Sequence, residues 1–394
     1  INSTANSNSG SGIYVKSGSC TIVNSVANSN AYDGICLEAG INDSLLDSVV
    51  ANSNARGAYF DNVNDSEVNN SYFATNNQQG IKLKSCTGVN VTNNFVTSSV
   101  EDGIKLEDSF NSTIFNNTVE SSDMGINLYE SSSNYVINNT IQESAQLDLW
   151  VEVSDVSHCN NTIENNTGSG NRPIKYVYTS TNITNETLSE LFLCYAPNSN
   201  ISDIVVEGSS ALKNNGVIAM LASGSCFTNV ESDNNYGGMG VFTSDNVAIS
   251  DSAVSDNTFD FGAVSSQNVE AMNLTIAHIG KTDFVANDVI TISGISASVG
   301  LPEGFADISK FMNITNFIES YSSNTSNLYL KVYYTSSDLN NAGITNAGSL
   351  VLAKYSGGNW NTNPAGFAGV YGVNTTDQYV YANITDFGSI FAPI

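Results

Sequence analysis

Seven residues of this 394-residue chain recur at one spacing: Lys16, Glu38, Asp61, Lys84, Glu107, Tyr129 and Glu152, each 22 or 23 residues after the last. Lys82 and Lys105 run beside them. Carboxylates about one strand spacing apart, as Glu38 and Asp61 would be, hold Ca²⁺ or share a proton. Lys84 and Lys105 would then serve as base or charge stabiliser, with Glu107 completing a charged ligand face. Alternating charges that pair along an exposed ladder account for the same column, and that is the reading adopted. The arginines, Arg56 and Arg172, lie outside the column, and His158 and His278 are isolated. No phosphate loop, Ser-His-Asp spacing or zinc motif is present, so neither a catalytic set nor a cofactor or metal site is predicted.

The elements that must carry this column follow from a second periodicity. Gly-apolar-x-apolar returns as Gly12-Ile13-Tyr14-Val15, Gly34-Ile35-Cys36-Leu37, Gly57-Ala58-Tyr59-Phe60, Gly80-Ile81-Lys82-Leu83, Gly103-Ile104-Lys105-Leu106 and Gly125-Ile126-Asn127-Leu128. A fixed period marks a repeat architecture whose units cover one another. This unit is too short for a helical hairpin and suits one coil of a parallel β-helix. A further column, Asn24, Asp47, Asn70, Asn94, Asn117, Asn139 and Asn161, supplies sharp bends and amides that pair from coil to coil. It continues through Asn182, Asp203, Asn229, Asp251 and Asn273. The apolar positions one and three after each glycine should stack inside. Tyr14, Cys36, Tyr59, Lys82, Lys105, Asn127 and Trp150 should point outward.

About twelve rungs bring the repeat to residue 281, where it stops. Residues 282–394 read as a small antiparallel β-sandwich, with strands at Val289–Ile292, Leu328–Tyr334, Leu350–Tyr355 and Tyr379–Ile384 and a turn at Ser356-Gly357-Gly358-Asn359-Trp360. The predicted class is all-β: a right-handed parallel β-helix over 1–281, then the sandwich.

Composition agrees, with 13% charged and 41% hydrophobic residues. The net charge of −26 argues against nucleic acid or anionic lipid as a partner. No run of 18 apolar residues exists, so no membrane-spanning helix is expected. The opening Ile1-Asn2-Ser3-Thr4 has no leader character, as in a processed, exported product. Asn-x-Ser/Thr occurs 18 times. Many copies belong to the repeat itself, and the better N-glycosylation candidates lie outside that column: Asn313, Asn324, Asn374 and Asn383. The six cysteines have no metal spacing, and their offsets within the repeat do not match between neighbouring coils. Buried thiols are expected, or intermolecular links through Cys20 and an outward Cys36. The residues before Gly12 offer no capping helix, so the first coil edge is expected to be an assembly surface.

The Asn-Asn-x-Ile rung endings resemble the NosD-type β-helix repeats of archaeal, methanogen-type surface proteins. Further stretches match that group: Arg172-Pro173-Ile174-Lys175-Tyr176, Leu191-Phe192-Leu193-Cys194, Ile308–Asn316 and Tyr379–Pro393. The resemblance implies an exported protein of the cell envelope, and it implies no single activity. A membrane anchor often follows the sandwich in that group, whereas this chain stops at Ile394. β-Helices also include polysaccharide lyases, but the charged column lacks the arginine such sites usually carry. Tyr14, Tyr59, Trp150 and Trp360 are the aromatics that would stack on sugars. The expected function is a non-enzymatic, self-associating block of an extracellular surface layer or sheath. The alternative is a carbohydrate-binding or polysaccharide-cleaving surface protein.

Overall fold

The computed structural model describes residues 2–296, 300–301, 305–315, 326–362 and 367–394. The chain is all-β and contains a β-solenoid of about twelve turns of about 22 residues. By contact it divides into two compact units, the first comprising residues 1–178, 188–191 and 208–215.

In the first unit each glycine leads into a strand, and these strands form one parallel sheet. They are Ile13–Val15, Ile35–Glu38, Ala58–Asp61, Ile81–Lys84, Asp102–Glu107, Met124–Tyr129 and Leu147–Glu152. A second parallel sheet of 7 strands runs from Thr21–Val23 to Thr162–Glu164. A third has 4: Tyr72–Ala74, Phe95–Thr97, Thr118–Glu120 and Thr140–Gln142. Register places Ile35, Ala58, Ile81 and Ile104 in one interior column, and Leu37, Phe60, Leu83 and Leu106 in the next. All eight are fully buried, and each of the seven other than Ala58 contributes about 1.5–3 kcal/mol by leaving water. The opening residues pair with the coil below, Ala5 N–H donating to Val26 O at 2.8 Å and Val26 N–H to Ser3 O at 2.8 Å. They are a partial coil, not the bare approach expected before Gly12.

The repeated glycines have an ordinary φ; closeness of neighbours selects them. A Cβ on Gly103 would stand 2.7 Å from Gly125 O and nearer still to Val119 Cγ1. Gly80 meets Val96 and Gly125 meets Ile141 in the same way. Side chains of the third sheet thus press against the glycine backbone.

The asparagine column divides into two, which corrects the sequence expectation. The bends are left-handed residues: Asn24, Asn70, Asn93, Asn116, Asn138 and Asn165 have φ between 46° and 58°. The amide ladder lies one position later and is buried: Asn94, Asn117, Asn139 and Asn166. Each of the first three donates Nδ2 to the next Oδ1 at 3.0 Å. Their backbone N–H groups donate to the same oxygens at 2.9 Å. Asp47 ends a strand instead, and Asn161 joins a different ladder through Asn134. Period counting merged adjacent positions because Asn occupies both.

The second unit comprises residues 179–187, 192–207 and 216–394. Its parallel strands include Asn200–Val206, Cys226–Asp233 and Gly237–Phe242. The long strand Phe259–Ile276 pairs parallel with the last of these and antiparallel with Gly280–Ile295. Antiparallel pairing then continues through Phe311–Thr315, Asn327–Tyr333, Leu352–Ser356, Tyr371–Asn374, Tyr379–Ile384 and Ser389–Pro393.

Candidate functional site

The charged column lies in register on the glycine-led sheet: Glu38 opposes Asp61, Asp61 opposes Lys84, and Lys84 opposes Glu107, followed by Tyr129 and Glu152. Tyr14, Cys36, Tyr59, Lys82, Lys105, Asn127 and Trp150 form the neighbouring column, as their spacing predicted.

The charges engage one another along the stack. Lys82 Nζ is 2.6 Å from Glu107 Oε2 and Lys84 Nζ is 3.6 Å from Oε1. Burial works against charge on Glu107, yet the Lys82, Lys84 and Lys105 ammonium groups hold its carboxyl below the usual range. Lys105 lies 3.7 Å from Asp102 and 5.3 Å from the centroid of the Tyr129 ring. Glu38 accepts the Tyr14 hydroxyl at 2.7 Å and Asp61 that of Tyr59 at 2.8 Å. Glu38, Asp61 and Glu107 therefore each have a protein donor. No group of three or more His, Cys, Asp or Glu side chains suited to a metal ion occurs among the described residues.

Several outward positions are covered. Tyr59 is only 7% exposed, with the Arg56 guanidinium 3.5 Å above its ring. Cys36 is 2% exposed. Burial first, then the charges of Asp33 and Glu38, push its thiol far up, so it is neither the accessible nor the reactive thiol an intermolecular link needs. Alternation along a strand gives the face of a residue, but side chains nearby in the same coil, such as Arg56 over Tyr59 and Glu38 beside Cys36, bear on its exposure. Cys20 is partly exposed and free, like Cys36, Cys86 and Cys226. Cys159 and Cys194 are disulfide-bonded, which corrects the expectation of six thiols. The coil from Asn134 to Asn161 spans 27 residues because it holds the 3₁₀ turn Val156–Cys159, so offsets counted on a 22-residue period fail beyond it.

Among the other aromatics, Tyr14 is 51% exposed. Trp360 packs on Tyr355 and Phe311 at 5.3 and 6.2 Å, and its indole N–H donates to Gly300 O. Of the glycosylation candidates, Asn313 is exposed and Asn383 half-buried, while Asn324 lies outside the described residues. Both amide hydrogens of Asn374 are engaged, by Asp377 and by the Tyr379 hydroxyl.

Three features escaped the sequence reading. In the first unit Asp148 and Glu190 are fully buried. Asp148 accepts from Ser169 N–H and Asn215 Nδ2, each at 2.7 Å, and Glu190 accepts from Leu149 N–H at 3.0 Å. Burial raises both carboxyls, and the Asp148 charge adds to the rise at Glu190. The signal was a lone acid flanked by or opening an apolar run, Leu147-Asp148-Leu149 and Glu190-Leu191-Phe192-Leu193. Second, half-exposed aromatics flank the stack: Tyr72 40%, Phe95 36%, Phe110 37%, Phe115 39% and Tyr135 49%. Tyr72 and Phe95 stack at 5.6 Å with planes 8° apart. Third, the second unit has an open cleft of about 500 Å³ lined by Tyr329, Asn374, Thr375, Thr376, Tyr379 and Tyr381.

The family described as "right handed beta helix region" matches residues 1–141. A search of curated protein sequences returns no match. Solved structures with some likeness include the receptor-binding protein of bacteriophage Det7, a podoviral tailspike in a myovirus, at 8% identity and TM-score 0.38, covering 98% of this chain and 95% of that one. A hyperthermoactive exopolygalacturonase from Thermotoga maritima has 11% identity and TM-score 0.27, covering 63% and 53%. A tailspike protein of E. coli bacteriophage HK620 in complex with pentasaccharide has 9% identity and TM-score 0.30, covering 95% and 75%.

Proposed function

We propose that this chain is a non-enzymatic building block of an extracellular surface layer or sheath, and that copies associate through the sides of the β-helix. The observation that carries the reading is the contrast between faces of the first unit. On the glycine-led sheet Lys82 and Lys84 pair with Glu107, Lys105 pairs with Asp102, and Glu38 and Asp61 accept tyrosine hydroxyls, so these side chains are engaged within the ladder. The other two sheets present Tyr72, Phe95, Phe115 and Tyr135, each more than a third exposed. Burying such rings against a second copy removes apolar area from water without disturbing the coil. The resemblance of the rung endings to archaeal envelope proteins supports the same location.

Sedimentation velocity over a concentration series tests this. The wild type should form large species that the double variant Phe95→Ser, Phe115→Ser loses while keeping its melting temperature. A monomeric wild type at every concentration, or identical behaviour of the variant, contradicts the reading. A second reading, carbohydrate binding, is favoured by the tyrosine-lined cleft of the second unit.

A further inference from the structure

In the first unit the glycine-led sheet ends at the strand Leu147–Glu152, and Asp148 stands where the strands before it have Gly103 and Gly125. A Cβ on Gly125 would lie 2.5 Å from Asp148 O, so a side chain fits at this place only where the sheet ends. The backbone there still needs acceptors. In earlier coils the next strand supplies them: Gly57 N–H donates to Gln79 O at 3.1 Å and Ala58 N–H to Gly80 O at 3.0 Å. At the last strand side chains take over. Asp148 N–H donates to Asn215 Oδ1 at 2.7 Å and Leu149 N–H to Glu190 Oε2 at 3.0 Å. Residues of segments 188–191 and 208–215 thus close this part of the sheet edge in place of a strand.

The second segment is fastened to the same acid. Asp148 Oδ2 accepts Ser169 N–H and Asn215 Nδ2, each at 2.7 Å. Its Oδ1 accepts Asn214 Nδ2 at 3.3 Å and Ser144 N–H at 3.4 Å. These four donors hold the charge on Asp148. Glu190 has one donor, and its Oε1 has no hydrogen-bond partner among the described residues although the side chain is fully buried. The charged group that acts on Glu190 is Asp148; no lysine, arginine or histidine does. Farther along the second segment, Glu143 accepts the Ser209 hydroxyl at 2.6 Å and Arg172 donates to Gly208 O. Two buried carboxylates without a cation resist double ionisation, so one proton stays with the pair. On Glu190 it leaves Oε2 as a carbonyl acceptor for Leu149 N–H.

We propose that Asp148 and Glu190 form a pH-operated catch: while the pair keeps one proton, segments 188–191 and 208–215 stay closed on the sheet edge, and its loss in alkaline solution opens them locally. Opening removes acceptors from Asp148 and Leu149 N–H and lets water reach both carboxylates, which relieves their repulsion.

Hydrogen exchange of the full chain, followed by mass spectrometry and corrected for the pH dependence of free-peptide exchange, tests the catch. In the wild type, protection of the peptides that contain Leu149 and Leu191 should fall about tenfold or more between pH 6 and pH 9, ahead of the strand Ile81–Lys84. Glu190→Gln keeps a neutral acceptor for Leu149 and should hold its protection within about twofold over the same range. Glu143→Gln should show the wild-type fall. Infrared spectroscopy of the wild type supplies a readout that needs no variant: a protonated-carboxyl band should be present at pH 6 and disappear over the same range as the protection. Wild-type protection independent of pH overturns the proposal. So does a fall that Glu190→Gln shares or Glu143→Gln abolishes, and so does the lack of a protonated-carboxyl band at pH 6.

Discussion

At the scale of single residues, energetic weight sits where polar groups are buried. Asn117 serves four bonds: Nδ2 donates to Val91 O and Asn139 Oδ1, and Oδ1 accepts from the Nδ2 and the backbone N–H of Asn94. Asn117→Ala should cost about 1–3 kcal/mol, because Asn94 Nδ2 and Val91 O are left without their partner inside the stack. Asn117→Asp should be worse, as it adds an acceptor-only charge. Equilibrium denaturation checks both. Glu190 gives a pH signature. Its folded carboxyl is raised by burial and then by Asp148, so the folded state keeps a proton that the unfolded chain releases above about 4.3. The stabilisation is complete below that value and is lost as pH rises through the folded value. Wild-type melting temperature should therefore fall between pH 5 and pH 8 more steeply than that of Glu190→Gln. Parallel pH profiles for the two proteins would exclude the buried acid as the cause. Neither residue's full role was legible in the sequence: buried and surface asparagines alternate in one motif, and the apolar run after Glu190 signals burial without naming the distant segment that covers it.

At the scale of elements, close approach between coils sets the repeat. Gly103→Ala places a methyl against Val119 and Gly125 O and should destabilise by several kcal/mol, about the scale of overpacking. Gly10→Ala meets nothing within 4 Å and should be silent. A matched pair of chemical melts decides this, and equal effects would refute close packing as the reason for the period. Leu106→Asp puts an unpaired charge between Leu83 and Leu128 and should abolish cooperative folding. The register from Ile35 to Val151 was readable because period, alternation and burial all repeat with it. The coil containing Val156–Cys159 was not, since an insertion leaves the chemistry of a rung intact and shifts only its count. The covering of Cys36 and Tyr59 was equally hidden, because it involves the side-chain conformations of Glu38 and Arg56 beside them.

At the scale of the whole molecule, the sequence gives a coiled β architecture more readily than a purpose. A charged column looks alike whether it serves a substrate or its own stability; here Glu107 takes two lysines and Asp102 a third, which are contacts of a ladder. The tyrosine cleft was invisible because its residues come from stretches about 50 positions apart that only antiparallel pairing unites. The account's central claim is that this protein is a unit of a surface assembly. Negative-stain electron microscopy of the purified full chain, beside the native cell envelope, tests it most directly. The account predicts ordered fibres, hoops or lattices in both, with a common repeat. Dispersed monomers at high concentration, and an envelope whose order is unchanged when the protein is removed, would contradict it.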